Sequence, residues 1–137
     1  MKEEIVVRSV RSIGLEEFLQ SHDYIMTEIK NDVILISRSD LSVYLKSDKG
    51  ILFFEVEIGN ISKERTIELY EDLLDLNTEI LPVSIGIDRA ATNDPRLVLV
   101  ESRESANLDE NELLSVLQTM EIAVAKVELV LKKHLDK

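Results

Sequence analysis

The chain has no cysteine and no tryptophan, and only four glycines and two prolines in 137 residues. Without cysteine there is no disulfide framework and no thiolate to hold a metal, which fits a reducing compartment and a cytoplasmic protein. The four glycines, Gly14, Gly50, Gly59 and Gly86, stand apart from one another, so neither a phosphate-cradling loop nor a dinucleotide fingerprint can be built. Long hydrophobic runs are missing too. The longest purely apolar runs are four residues, as at 33–36, 51–54 and 97–100, far short of the ~20 residues of a membrane span. The opening MKEEIVVRSV carries two glutamates and no extended apolar core, unlike a secretory signal. Positive charge is scarce. Sixteen basic residues against twenty-seven acidic ones leave a net charge of −11, which repels phosphate backbones and anionic headgroups. Nucleic-acid binding and direct membrane insertion are therefore not expected. The same charge suits basic or amphipathic partners, and acidity is also a general aid to solubility.

Against these absences, 45% of the residues are hydrophobic, so the chain is no disordered acidic tail. At this length roughly two thirds of the unfolded surface can be buried. No repeat, low-complexity tract or linker interrupts residues 1–137, which are expected to form a single α+β domain. The periodicity predicts a short helix from Ser12 to His22, with Leu15, Phe18 and Leu19 on one face and a start as early as Val7 or Val10. Ile25, Thr27 and Ile29 then alternate with polar neighbours, Asn31-Asp32 makes a turn, and strands follow at Val33–Ser37, Leu41–Lys46 and Ile51–Ile58. That is an antiparallel meander. Ser62 is the expected N-cap of a helix from Lys63 to about Thr78, with Ile67, Tyr70, Leu73, Leu74 and Asn77 on one face. Val83–Asp88 and Arg96–Ser102 form a second hairpin across Asn93-Asp94-Pro95.

The last stretch, Asn107 to Leu135, is the strongest periodic signal. Asn107 with Glu110 suggests a capping box, acids lead and Lys132, Lys133 and His134 close, and about 27 residues would make a rod of roughly 40 Å. Leu113, Leu117, Met120, Val124, Val127 and Leu131 recur at alternating fours and threes, the spacing of a coiled-coil seam. Val116, Ala123 and Val130 form a second line, and Ile122 and Leu129 a third. One small sheet face cannot cover all three lines. Either the third is simply exposed, or part of this surface meets a second copy, giving a homodimer, or a partner helix. The candidate partner-binding residues are thus Leu113, Leu117, Met120, Ile122, Val124, Val127, Leu129 and Leu131.

Catalytic chemistry finds little support. Glu68 and Asp72 sit one helical turn apart and could share a cation, but nothing around them completes a metal site, and a solvated acidic face is the simpler reading. His22 and His134 fall near the ends of separate helices. Ser84, in Pro-Val-Ser-Ile-Gly, lacks the first glycine of a nucleophile elbow and lies in a strand. No catalytic, cofactor-binding or metal residue is assigned, and no cofactor is expected.

The order helix, three or so strands, helix, two strands, helix resembles the type III secretion chaperone-like fold, in which small acidic α+β proteins dimerise and wrap an unfolded client segment around their sheet. Three stretches, ILFFEVEIGNIS at 51–62, LPVSIGID at 81–88 and LQTMEIAVAKVELVL in the last helix, are similar to a small bacterial family of unknown function. Its members are encoded beside relatives of phage-shock protein A, a membrane-stress coiled-coil protein. This chain departs from that family in carrying Glu101-Ser102-Arg103-Glu104 where a serine-rich stretch of small residues is expected. The resemblance implies a non-enzymatic protein-binding module, a chaperone or adaptor for a phage-shock protein A-like coiled coil. The alternatives are a type III secretion-type chaperone for an effector, and a ligand sensor or small enzyme using surface carboxylates.

Overall fold

The computed structural model describes residues 5–7, 13–30, 32–61, 63, 65–90 and 93–135. In chain order the elements are β1 (Val6–Val7), β2 (Ile13–Gly14), α1 (Leu15–Ser21), β3 (Ile25–Lys30), β4 (Val33–Arg38), β5 (Leu41–Asp48), β6 (Ile51–Asn60), α2 (Ile67–Asn77), β7 (Ser84–Asp88), β8 (Arg96–Glu104) and α3 (Glu110–Leu135). β1 and β2 pair antiparallel, and the remaining strands follow the order β3-β4-β5-β6-β8-β7. This is the α+β order expected, with an antiparallel sheet. The chain divides into two compact units, Met1–Glu55 with Glu101–Leu117, and Val56–Val100 with Gln118–Lys137. β6, β8 and α3 each contribute residues to both.

In the first unit the meander is set by parity. Ile34 and Ile36 of β4, Leu41, Val43 and Leu45 of β5, and Leu52 and Phe54 of β6 are all buried, and the register Ile36↔Val43 and Leu45↔Phe54 puts them on one face. Each such side chain contributes about 1.5–3 kcal/mol on full burial. Phe53 falls on the opposite, wetter face with Glu55. Lys49 and Gly50 both have positive φ, 51° and 81°, closing Asp48 onto Ile51 in a two-residue turn. Two successive left-handed residues match the strand twist, and glycine takes that conformation without strain. At β3 the polarity is reversed from a simple inward reading. Met26 pairs with Ile36, so Ile25 and Ile29 point outward and are exposed.

The first helix starts later than its periodicity suggested. Ile13 and Gly14 are extended and pair with Val7 and Val6, and α1 begins at Leu15 with Leu15, Phe18 and Leu19 buried. β-branched residues and a glycine favour this exchange of helix for strand. Of the starts weighed, Val7 is in β1, while Val10 and Ser12 lie outside the described residues, as do Asn31 and the Ser62 cap. The chain turns out of α1 through Asp23 at φ 66°, Tyr24 N–H donates to the Leu19 carbonyl at 2.9 Å, and the Arg38 guanidinium lies 4.1 Å above the Tyr24 ring.

In the second unit α2 begins at Ile67, not Lys63, because Thr66 is extended (φ −141°, ψ 161°) and its hydroxyl accepts from Leu69 N–H at 3.1 Å. Its buried ridge is Leu69, Leu73 and Leu76, so the single apolar face expected from Ile67 to Asn77 is in fact split. β7 and β8 form the anticipated hairpin, in register from Ser84↔Val100 to Asp88↔Arg96. Asp94 sits beside its turn, accepting from Asn60 Nδ2 at 2.6 Å and Arg96 Nε at 3.0 Å.

β8 runs to Glu104, two residues past the expected end at Ser102. α3 starts at Glu110, and its cap is not Asn107, which takes a left-handed φ of 61°. Asp109 Oδ1 accepts from Glu112 N–H at 2.8 Å instead, placing the cap two residues later.

Candidate functional site

The second unit carries an apolar groove of about 380 Å³ between α2 and the β7–β8 hairpin. Tyr70, Leu73, Leu74 and Asn77 line it from α2, Ile85, Gly86 and Ile87 from β7, and Leu97 from β8. Helical periodicity puts residues 70, 73, 74 and 77 on one side of α2, and the strand period puts Ile85 and Ile87 on one face of β7. Leu97 and Leu73 are almost fully covered, whereas Leu74 is 65% exposed. Ile67 and Leu81, seven residues to either side, are exposed at 74% and 70%. An apolar concavity with exposed leucine beside it is the kind of surface that takes a partner rather than closes on itself.

One polar contact crosses the groove. Asn77 Oδ1 accepts from the backbone N–H of Ile85 at 2.7 Å, tying the end of α2 to the last strand of the sheet order. Elsewhere along α2, Asp72 accepts from His134 Nε2 at 2.7 Å and from Lys133 Nζ at 3.3 Å, which ties the last turn of α3 to α2. The His134 hydrogen bond, then that of Lys133, holds the Asp72 carboxyl below the usual carboxylate range. Asp72 is thus engaged by α3. Among the described residues no three His, Asp or Glu side chains converge as a metal would need.

The predicted partner surface on α3 divides. Leu113, Leu117, Met120 and Val127 are fully buried, Val124 and Leu131 are half-buried, and Ile122 and Leu129 are exposed at 55% and 69%. The neighbouring line of Val116 and Ala123 is buried as well. Of the other residues weighed in the sequence, His22 packs against Phe18, ring centroids 4.6 Å apart, with Nδ1 3.1 Å from the Phe18 carbonyl oxygen. Ser84 is exposed in β7. Periodicity alone did not disclose the groove, because it needs α2 set beside β7. Its one sequence trace is the run Ile67, Tyr70, Leu74, Asn77, an apolar line interrupted by an amide.

A buried carboxylate was also missed. Glu101 shares the inward face of β8 with Leu97 and Leu99 and is 6% exposed, paired with Arg103 Nη2. The Arg103 guanidinium faces Oε1 and neutralises its charge.

With this architecture in place, the chain belongs to the CesT_Tir_1 family, whose model matches residues 9–135. Solved structures that share its fold include two at a TM-score of 0.68. One is YbjN of E. coli, described as a putative transcription regulator, at 16% identity and a TM-score of 0.68, covering 88% of this chain and 90% of that one. The other is a chain of the heterodimeric ExoU–SpcU complex from the type III secretion system of Pseudomonas aeruginosa, at 16% identity and a TM-score of 0.68, covering 85% and 96%. At that identity the likeness establishes the fold, which is that of the type III secretion chaperones. No curated protein sequence matches the chain. No helix among the described residues is long and apolar enough to cross a membrane.

Proposed function

We infer that this protein is a non-enzymatic, chaperone-like binding module that holds a segment of a partner protein in the groove beside α2. The observation that carries the reading is the groove itself, with a covered apolar floor and Leu74 standing out of its wall. Membership of the CesT_Tir_1 family and the likeness to a chain of ExoU–SpcU support a protein as the ligand. A type III effector is one candidate client. The sequence similarity to the family encoded beside phage-shock protein A relatives makes a coiled-coil membrane-stress protein the other, with the protein acting in the cytoplasm. The net charge of −11 gives no footing for direct contact with DNA of the kind the YbjN description could suggest.

The exposed pair Ile122 and Leu129 on α3 is a second surface, suited to a second copy of the chain or to a partner helix. Of the eight α3 residues predicted to bind, these two need no rearrangement to do so.

A photo-crosslinking residue at position 74, with a control at the exposed position 16, tests the groove in living cells. Adducts with a different polypeptide at 74 but not at 16 are expected. Adducts containing only this chain would make the groove a subunit interface, and no adduct at all would remove it as the binding site.

A further inference from the structure

We propose that the exposed stripe of α3 through Ile122 and Leu129 pairs with the same stripe of a second copy, the two helices running parallel and in register as a short coiled coil. The proposal rests on the reading of these two residues as a second surface and is independent of the groove.

Spacing is the first ground. Gln118, Ile122, Ala125, Leu129 and Lys132 are all exposed. They follow one another by four, three, four and three residues, the interval of the a and d positions of a heptad. The buried seam of Leu113, Leu117, Met120 and Val127 occupies the other side of the helix, so α3 carries one seam for the core and one that faces water. Ile122 and Leu129 fall at a, and Ala125 falls at d. A β-branched residue at a suits a two-stranded pair, and a small residue between the two large ones lets the helices approach closely. Gln118 and Lys132 close the seam with polar side chains about 21 Å apart.

Charge names the occupant and its direction. With Ile122 and Leu129 at a, the g positions are Glu121 and Glu128 and the e positions are Lys126 and Lys133. In a parallel pair each g residue meets the e residue five places further on in the other helix. Glu121 then faces Lys126 of the second copy and Glu128 faces Lys133, on both flanks of the seam. In an antiparallel pair g meets g and e meets e, which sets glutamate against glutamate and lysine against lysine. Lys133 lies 3.3 Å from Asp72, but its side chain is 64% exposed and open to a second carboxylate.

The stripe also escapes the repulsion that two copies of net charge −11 otherwise feel. Residues 118–133 hold two acids, Glu121 and Glu128, against Lys126, Lys132 and Lys133. None of them lines the groove beside α2, so pairing along α3 leaves that groove available. Copies that met there as well would assemble beyond a dimer.

The chain has no cysteine, so single introduced cysteines report one position at a time. Gln118→Cys and Lys132→Cys in the full chain, mildly oxidised and read on non-reducing gels, should each link to itself. Glu16→Cys, exposed on α1, should not. In the Gln118→Cys chain, Glu121→Lys and Lys126→Glu should each slow linking about tenfold, and mixing the two variants should restore it, a recovery that a folding defect would not show. Linking of Gln118→Cys only to Lys132→Cys in a mixture of the two would make the pair antiparallel and overturn the proposal. Equal linking of Glu16→Cys, no linking at either seam position, or no recovery on mixing would overturn it as well. Adducts at position 74 test the groove separately, so failure here leaves the groove reading standing.

Discussion

Leu73 and Leu74 are adjacent in sequence and opposite in circumstance, so truncating each to alanine is a direct test of how α2 is seated. Leu73 is 4% exposed and belongs to the buried ridge with Leu69 and Leu76. A buried Leu→Ala change costs about 2–5 kcal/mol, and because the vacated space opens onto the groove the lower part of that range, about 2–3 kcal/mol, is expected. Leu74 keeps only about a third of its surface covered. Against about 2–3 kcal/mol for full burial, it stands to lose about 0.7–1 kcal/mol, of which alanine's better helix propensity returns a few tenths. The ratio should thus be near four to one. Urea titration with a common m-value reads both, and for a chain of this size each kcal/mol should appear as roughly 3–4 °C of melting temperature. Equal costs at the two positions would refute the seating of α2. A cost at Leu74 that grew with protein concentration would place it in a subunit contact.

Four further outcomes follow from the same geometry. Asp109→Ala should destabilise by about 1 kcal/mol as a lost cap, whereas Asn107→Gly should be neutral or slightly stabilising because Asn107 sits at positive φ; the reverse order in thermal denaturation would restore Asn107 as the cap. Arg103→Ala should cost about 1–3 kcal/mol, the range for removing one partner of a buried polar group, and Arg103→Ala/Glu101→Gln together should recover part of it; a change under about 0.5 kcal/mol in urea unfolding would show that Arg103 does not stabilise Glu101. Asp72 and Asp94 are both held below the ordinary carboxyl pKa, by His134 and Lys133 and by Asn60 and Arg96 respectively. Their contribution is therefore complete above about pH 3.9 and fades as pH falls through the lower folded values; Asp72→Asn should lower stability at neutral pH and flatten the acid limb, and an acid limb overlaying that of wild type would contradict this. Light scattering on wild type and Ile122→Glu/Leu129→Glu should give a folded dimer becoming a folded monomer if α3 joins two copies, and equal masses if it does not.

The fold was legible wherever one period dominated. Alternation marked β5 and β7, short apolar runs between turn residues marked β4, β6 and β8, and the long run of threes and fours marked α3. Ends were less legible, because caps depend on which of several polar residues the backbone reaches. Thr66 displaced Ser62, and Asp109 displaced Asn107, each by a side chain bonding an amide three residues on. β3 was misleading in a different way. Ile25 and Ile29 alternate as a buried line would, yet register with β4 turns them outward. The groove proposed as a partner site was the least legible. On α2 the residues facing the core and those facing the groove are neighbours, as Leu73 and Leu74 are, and no hydrophobicity pattern separates them. Only the placement of β7 beside the helix does.

The two candidate surfaces differ in what a partner must do to reach them. The seam on α3 holds Leu113, Leu117, Met120 and Val127, each fully buried. At about 2 kcal/mol apiece, exposing four such side chains costs roughly 8 kcal/mol, which is comparable to the whole stability of an ordinary domain. A partner using that seam would have to offset this from its own binding energy, and would bind a chain that is substantially opened. The groove and the Ile67–Leu74 line impose no such cost, since their apolar surface already faces water. A module that captures and releases a segment reversibly needs affinity set by the partner's contacts and not by its own unfolding. On that criterion the site proposed on α2, with Leu74 beside its groove, is the less costly of the two for a partner to reach, and the buried residues of the α3 seam are the more costly.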